Sequence, residues 1–554
     1  MRLLRSTALV SAMTFISRVS GFVRDQVYAI TFGASPAMDA FFVAFRIPNF
    51  LRRLSAEGSF SLAFVPVLSE YKETRSQAEV KELVDRVTGT LMAALLVLTG
   101  IAVLCSPWVI GIFAPGYDCN PAQHRLASDL LRITFPYLFF ISLASLAGGI
   151  LNSYHRFAVP AVSPVLMNVA MIAAALGIAP LFAQPVEGLA WGVLLAGVLQ
   201  LAVQLPALKR LGLLPRPRRP AGHSGVRKIF KLMVPTLFGS SVAQVNLLFD
   251  TIVATFLLSG SVTWLYFTDR LLEFPLGMFG VAIGTVILPH LSARHASTDP
   301  EGFSKGMDWG LRLSLLIGVP ACIGLVMTGV PLFSTMFQHG QFTAHDAEMS
   351  ALSLRALALG LPAFLLVKVL APGFYARQDT RTPVKAAVVS LLANVLFTIL
   401  LLGGLLYLTP LGDAARAAAN TALVATAEAC HKGVSSLLPA SLIGPLSRIP
   451  GAHACLALAS ALAGWLNAGQ LWWYLRRDRV FHAQPGWGRF ALQLLVASVA
   501  MVIVLSLLLS QWQDWSTWPT VERLWKLTAL IAAAGAAYAA ALLATGFRPR
   551  DLRH

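Results

Sequence analysis

Residues 39–69 read DAFFVAFRIPNFLRRLSAEGSFSLAFVPVLS. The frame is apolar enough to lie in hydrocarbon, yet it carries Asp39, Arg46, Arg52, Arg53 and Glu57. Asp39 and Arg46 stand seven residues apart, on one helical face. Pro48 and Gly58 bracket a break, where backbone groups face a cavity rather than lipid. The stretch ends in Pro66-Val-Leu-Ser69, and the pattern returns as Pro289-His-Leu-Ser292. The offset of 223–224 then holds: Pro107, Phe113 and Gly116 face Pro331, Phe337 and Gly340, Leu131-Arg132 faces Leu354-Arg355, and Pro160 faces Pro383. These residues describe a duplicated membrane bundle with charge inside it.

Composition agrees. Of 554 residues, 56% are hydrophobic and 12% charged, against roughly a quarter charged in soluble domains. Mean hydropathy is +0.69. A soluble enzyme cannot hide that much apolar surface, and 10% aromatic content excludes disorder. At about 35–40 residues per span and loop, the length predicts an all-α polytopic membrane protein with about 14 transmembrane helices. Spans are expected near 7–32, 37–68, 84–112, 127–152, 159–182, 187–208, 229–258, 262–292, 310–337, 347–375, 384–408, 452–474, 486–511 and 524–546.

The repeat divides the chain into a six-helix lobe at 1–210, a basic cytoplasmic linker at 211–228, a second six-helix lobe at 229–475, and helices 13–14 with a cytoplasmic tail at 476–554. Six helices per lobe is an even number, so the repeats are parallel. Residues 413–451 are less apolar than their surroundings and read as an atypical inserted segment.

Lysine and arginine number 43 against 26 acidic residues, a net charge of +17. On a soluble chain that balance suggests nucleic acid. Here the basic residues crowd alternate loops, such as 69–86, 209–231 and 476–479, which places both termini in the cytoplasm and gives no nucleic-acid partner. The N-terminus, MRLLRSTALVSAMTF, imitates a signal peptide, but Arg18 and Arg24 follow at once and an uncleaved first helix is expected. The five cysteines are scattered, which suggests neither a disulfide framework nor a zinc site. With no Walker A, HExxH or GxSxG motif, neither ATP hydrolysis nor hydrolase chemistry is indicated and no cofactor is expected.

Ionisable groups inside spans are the informative residues, since each costs about 2.5–3.5 kcal/mol at a helix centre. Helix 1 holds Arg18, Arg24 and Asp25; helix 2 holds Asp39, Arg46, Asn49, Arg52, Arg53 and Glu57. Helix 8, SVTWLYFTDRLLEFPLGMFG, is the counterpart in the second half, with Asp269, Arg270 and Glu273 ahead of a break at Pro275 and Gly277. Such groups suit buried ion pairs that lock helices. Arginine drawn from both halves also suits bidentate binding of phosphate, an anion site at the repeat interface. Asp250 and Asn394 are lone polar groups in apolar runs; an interhelical hydrogen bond suits them, an ion site is the weaker reading, and no metal is expected.

The stretches SRVSGFVRDQ, DAFFVAFRIPNFLRRLSAEGSFSLAFVPVLSEYK, YFTDRLLEFPLGMFGVAIGTVILPHLS and KVLAPGFYARQDTRTPVK resemble the MurJ (MviN) lipid II flippases of bacterial peptidoglycan synthesis. The likeness spans nearly the whole chain except 413–451. It implies the fold of the multidrug/oligosaccharidyl-lipid/polysaccharide exporter superfamily, two lobes plus helices 13 and 14 that hold a polyprenyl tail. It implies a transporter of the inner (cytoplasmic) membrane, not an enzyme. The implied substrate is lipid II, undecaprenyl-diphosphate carrying a disaccharide-pentapeptide, with membrane lipids and the cell-wall synthesis machinery as partners. The family's functional arginines match as Arg18, Arg24, Arg52 and Arg270, with Asp39 as a functional carboxylate; Asn49, Asp269 and Glu273 also match. Some relatives bind sodium through helices 7 and 11, but the second helix-11 carboxylate is replaced here by Thr398. The rival readings are an exporter of other lipid-linked oligosaccharides or drugs, and an intramembrane enzyme acting on the same lipid.

Overall fold

The computed structural model describes residues 2–54, 60–218, 222–408 and 446–548. Glu57, Gly58, most of the segment 413–451 and the last tail residues lie outside them. The described elements are helical, with no strand among them. Among the described residues ten helices are long and apolar enough to cross a membrane, or eleven when the pair Ala344–Ala358 and Leu361–Tyr375, bent by 41°, is one span. The helices at 2–32 and 36–52, which carry the ionisable groups of the first half, are not among the ten, whereas the stretch Ser261–Ala296, which carries Asp269, Arg270 and Glu273, is.

The described chain forms two compact units, one ending at Val262 and one beginning at Thr263. The first holds α1 (Arg2–Phe32), α2 (Pro36–Arg52), α3 (Ser61–Thr74), α4 (Gln77–Leu104), α5 (Ser106–Phe113), α6 (Pro121–Thr134), α7 (Tyr137–Ser153), α8 (Ala158–Ala173), α9 (Pro185–Ala202), α10 (Leu205–Arg210) and α11 (Ser224–Ala254). Its core lies where α3, α4, α7, α10 and α11 meet, built from Phe64, Leu68, Val84, Leu146, Leu151 and Ile229.

The second unit contains nearly all of α12 (Ser261–Pro275), then α13 (Val281–Ala296), α14 (Pro300–Met336), α15 (Ala344–Ala358), α16 (Leu361–Tyr375), α17 (Arg381–Leu408), α18 (His453–Arg477), α19 (Trp487–Gln511) and α20 (Thr520–Ala544). Here Ile287, Leu291, Met307, Val369, Phe374 and Leu475 form the core of α13, α14, α16 and α18. The buried positions of the two cores share one register: Phe64 and Ile287, Leu68 and Leu291, Val84 and Met307, Leu146 and Val369, and Leu151 and Phe374 each stand 223 apart. Helices α19 and α20 pack on each other and on α14.

Local chemistry sets the helix ends. Ser35 accepts from the Met38 N–H at 3.2 Å and Pro36 opens α2 with its fixed φ. Ser76 and Glu79 form a capping box on α4, as Thr343 and Asp346 do on α15. Helix α14 begins at Pro300, ten residues before the expected 310, because Asp299 accepts from the Gly302 N–H at 2.8 Å. Its 37 residues run about 55 Å at 1.5 Å per residue, longer than a hydrocarbon core of about 30 Å. The first ten residues, PEGFSKGMDW, hold three of its four charged groups, Glu301, Lys305 and Asp308, and make up about 15 Å of the excess.

The expected break after Pro275 is present as a π-helical turn, Leu276–Gly280, between α12 and α13. Among the described residues Cys119 is disulfide-bonded, whereas Cys105, Cys322 and Cys455 are free.

Candidate substrate site on the charged helices

In the first unit, the groups on α1 differ in setting. Arg18 is exposed on the surface of α1. Arg24 and Asp25 are buried, at 7% and 4% exposure. Arg24 donates through Nη2 to Asp25 Oδ1 at 2.7 Å and through Nε to the same oxygen at 3.1 Å. Its Nη1 donates to Asn168 Oδ1 in α8 at 3.0 Å, and the guanidinium lies 5.5 Å from the Tyr28 ring centroid. Asn168 in turn donates to the Ser17 carbonyl and to Ser20 Oγ, both at 3.0 Å. An Arg–Asp pair is thus sealed between α1 and α8 by one amide side chain. Sequence reading passed over Asn168, although a lone Asn in the apolar run VLMNVAM is the same signal that singled out Asn394.

Helix α2 spreads its polar groups along its length. Asp39, in the first turn, is 2% exposed and accepts from the Gly260 N–H at 2.6 Å. Gly260 takes φ +97°, a left-handed conformation open to glycine, which turns its N–H to the carboxylate. Arg46 donates to Thr251 Oγ1 in α11. At the other end, Arg52 donates to Asn49 Oδ1 through Nε at 3.0 Å and Nη2 at 2.7 Å. Asp39 and Arg52 stand thirteen residues apart on one helix, roughly 20 Å by its rise, so they do not pair directly. Asp39 instead ties the start of α2 to the turn after α11, and Gly116 N–H donating to Thr255 Oγ1 at 3.2 Å fastens the same corner.

In the second unit, Arg270 pairs with Glu273 Oε2 at 3.0 Å and lies 4.9 Å from the Tyr266 ring centroid. Asp269 is half-buried and Glu273 exposed. Thr268 Oγ1 donates to the Ser350 carbonyl at 3.0 Å, and Trp264 Nε1 donates to Asp346 at 3.0 Å, which fix α12 against α15. Asn394 is buried and accepts from Ser460 Oγ at 3.4 Å, an α17–α18 link of the kind expected. Asp250 is half-buried near the end of α11. Chemically, the half-buried Arg52 and Arg270 present paired guanidinium groups whose planar form suits a diphosphate, whereas Arg24 is enclosed by its partners.

The family model "Lipid II flippase MurJ" matches residues 28–430. A probable lipid II flippase MurJ of Vibrio cholerae is 49% identical over 401 residues, 71% of this chain and 76% of that protein. A solved structure titled "Lipid II flippase MurJ, inward closed conformation" superposes with a TM-score of 0.74 at 24% identity, covering 99% of this chain and 100% of that one. An inward-facing multidrug resistance transporter of the MATE family, in the MOP superfamily, superposes at 0.58 with 13% identity, over 85% and 98% of the two chains. The fold is therefore that of these helical transporters, and the chain belongs to the lipid II flippase MurJ family.

Proposed function

We propose that the protein is a lipid II flippase: it carries undecaprenyl-diphosphate bearing the disaccharide-pentapeptide from the inner to the outer leaflet of the cytoplasmic membrane. It works as a transporter and not as an enzyme. The observation that carries this reading is the family match over 28–430, a stretch holding six of the eight candidate residues, namely Asp39, Asn49, Arg52, Asp269, Arg270 and Glu273.

The physical problem is the headgroup. A diphosphate with sugars and peptide loses its hydration in hydrocarbon, and nothing there replaces it. In our reading, Arg18, Arg24 and Arg270 line a central cavity and bind the diphosphate, Arg52 and Asn49 handle it at the far end of α2, and Asp39 holds the opposite corner. Asp269 and Glu273 set the charge around Arg270. The polyprenyl tail stays in lipid beside α19 and α20. The break after α12 and the one expected in helix 2 between Pro48 and Gly58 act as hinges in alternating access between two parallel six-helix repeats. Fourteen spans with both termini in the cytoplasm fit the alternating basic loops, and the shared register of the two cores supports the repeat. Membrane potential supplies the energy, at about 2.3 kcal/mol per charge per 100 mV.

Depleting the protein and measuring lipid II on the outer leaflet tests the reading. Exposure is expected to fall as precursor accumulates inside. Unchanged exposure after depletion overturns it.

A further inference from the structure

Two aspartates outside the candidate site occupy matching places in the two units. Asp85 in α4 and Asp308 in α14 are 2% and 4% exposed and stand 223 apart, the register of the two cores. Each receives the backbone of a strap that follows one of its unit's core helices. In the first unit the strap follows α10: Arg216 N–H donates to Asp85 Oδ1 at 2.7 Å, and Arg218 N–H donates to the Asp85 carbonyl at 3.1 Å. In the second it follows α18: Gln484 N–H donates to Asp308 Oδ1 at 3.1 Å, and Trp487 Nε1 donates to the same oxygen at 2.6 Å.

Each strap also buries one apolar side chain three residues before its bonded N–H. Leu213 enters the first core and Phe481 the second, at 0% and 2% exposure. Leu213 and Phe481 stand 268 apart, as do Arg216 and Gln484. A Cβ at Gly89, one turn beyond Asp85, would strike the Arg218 backbone, so the strap lies directly on α4. In the second unit Ser304 Oγ donates to the His482 carbonyl and accepts from the His482 N–H, both at 2.9 Å. The counter-ion differs. Lys81, one turn before Asp85, pairs with it, whereas Arg312, one turn after Asp308, brings Nε within 2.7 Å of its Oδ2. The two units thus share the carboxylate, the N–H it binds and the apolar anchor, while the cation has changed sides. The shared element is the fastening of the strap.

We infer that Asp85 and Asp308 are a duplicated clasp. Each fastens the strap behind its own unit's core, so that the next helix, α11 in the first case and α19 in the second, leaves from a fixed point on that unit throughout the transport cycle. A buried carboxylate holding N–H donors makes charge-assisted bonds, and its removal strands those donors and the paired cation. These are positioning residues, acting through the straps and not on substrate. Only the transport arm of the test rests on the flippase reading.

The test is hydrogen exchange read by mass spectrometry on the full chain in lipid nanodiscs, with Asp85→Ala, Asp308→Ala and the milder Asp85→Asn and Asp308→Asn. The expected result is local: Asp85→Ala speeds exchange at 213–218 at least tenfold and leaves 480–487 as in wild type, and Asp308→Ala does the reverse. The asparagine variants, which keep one acceptor oxygen, give smaller rises at the same strap. Unchanged strap exchange, or a rise spread evenly over the unit, overturns the clasp. In cells relying on the alanine variants, outer-leaflet lipid II is expected to drop at least threefold at wild-type protein level in the membrane. Full exposure with a released strap overturns the role in transport without touching the flippase assignment, which wild-type depletion tests separately.

Discussion

An arginine inside an apolar helix needs partners, and those of Arg24 include two of different kinds. Asp25 neutralises it, and Asn168 holds the remaining edge of the guanidinium while anchored itself to Ser17 and Ser20. The two supports predict different losses. Asp25→Ala leaves a buried uncompensated charge, a cost of about 3–5 kcal/mol. Asn168→Leu removes one acceptor, a cost of about 1–3 kcal/mol. Thermal unfolding of the purified variants in one detergent is expected to rank them in that order below wild type; equal midpoints for both would contradict the arrangement. The pair is only partly legible in sequence. Adjacent Arg24 and Asp25 are visible at once, but Asn168 lies 144 positions away and declares itself only as a polar residue in an apolar run.

Asp299 gives a pH dependence at the same scale. The Gly302 N–H, then Arg294, hold its carboxyl below the ordinary carboxylate range. A depressed folded pKa means that the cap stabilises above the unfolded value near 4 and loses this contribution as pH falls through the folded value. Asp299→Asn is therefore expected to flatten the decline of the unfolding midpoint below about pH 4. An identical decline in wild type and variant contradicts the cap's contribution.

At the scale of elements, the ends of the helices were harder to read than their middles. Pro275 and Gly277 announce the break between α12 and α13, because proline removes an N–H and crowds the preceding turn. The early start of α14 is hidden because Glu301, Lys305 and Asp308 make its first ten residues look like loop until Asp299 and Pro300 are seen as cap and first residue. The straps were missed for another reason: LLPRPRR reads as a basic linker, and only tertiary contact shows that Leu213 is core and Arg216 a backbone donor.

The junction of α19 and α20 is a similar case. The tryptophans at 512, 515 and 518 read as an interfacial belt, and two of them, Trp512 and Trp518, flank the Lys526 ammonium. Lys526 Nζ lies 3.2 Å from the Trp518 ring centroid and 2.7 Å from Glu522. Arg523 donates to the Ser334 and Ser516 carbonyls, each at 2.7 Å, joining α20 to the end of α14. Arg523→Ala strands these carbonyls and is expected to cost about 1.5–3 kcal/mol, read as a lower unfolding midpoint. Arg523→Lys, with one point donor in place of a fork, is expected to recover only part of it. Full stability of the alanine variant contradicts the staple.

At the scale of the molecule, composition and the 223-residue register made the helical transporter class legible, and the long motifs around residues 39–69 and 263–292 made the family legible. What stayed hidden is how charge is held. Arg24 is bonded to Asp25, Arg52 to Asn49 and Arg270 to Glu273. Such local partners keep a guanidinium in place in the absence of anion, and a diphosphate carries enough charge to compete for it. The account stands on those cations meeting the substrate. Its most direct test is the amount of lipid II on the outer leaflet of cells relying on Arg270→Glu, with the variant's membrane level measured beside it. The account predicts background exposure at a wild-type protein level; exposure equal to wild type would contradict it.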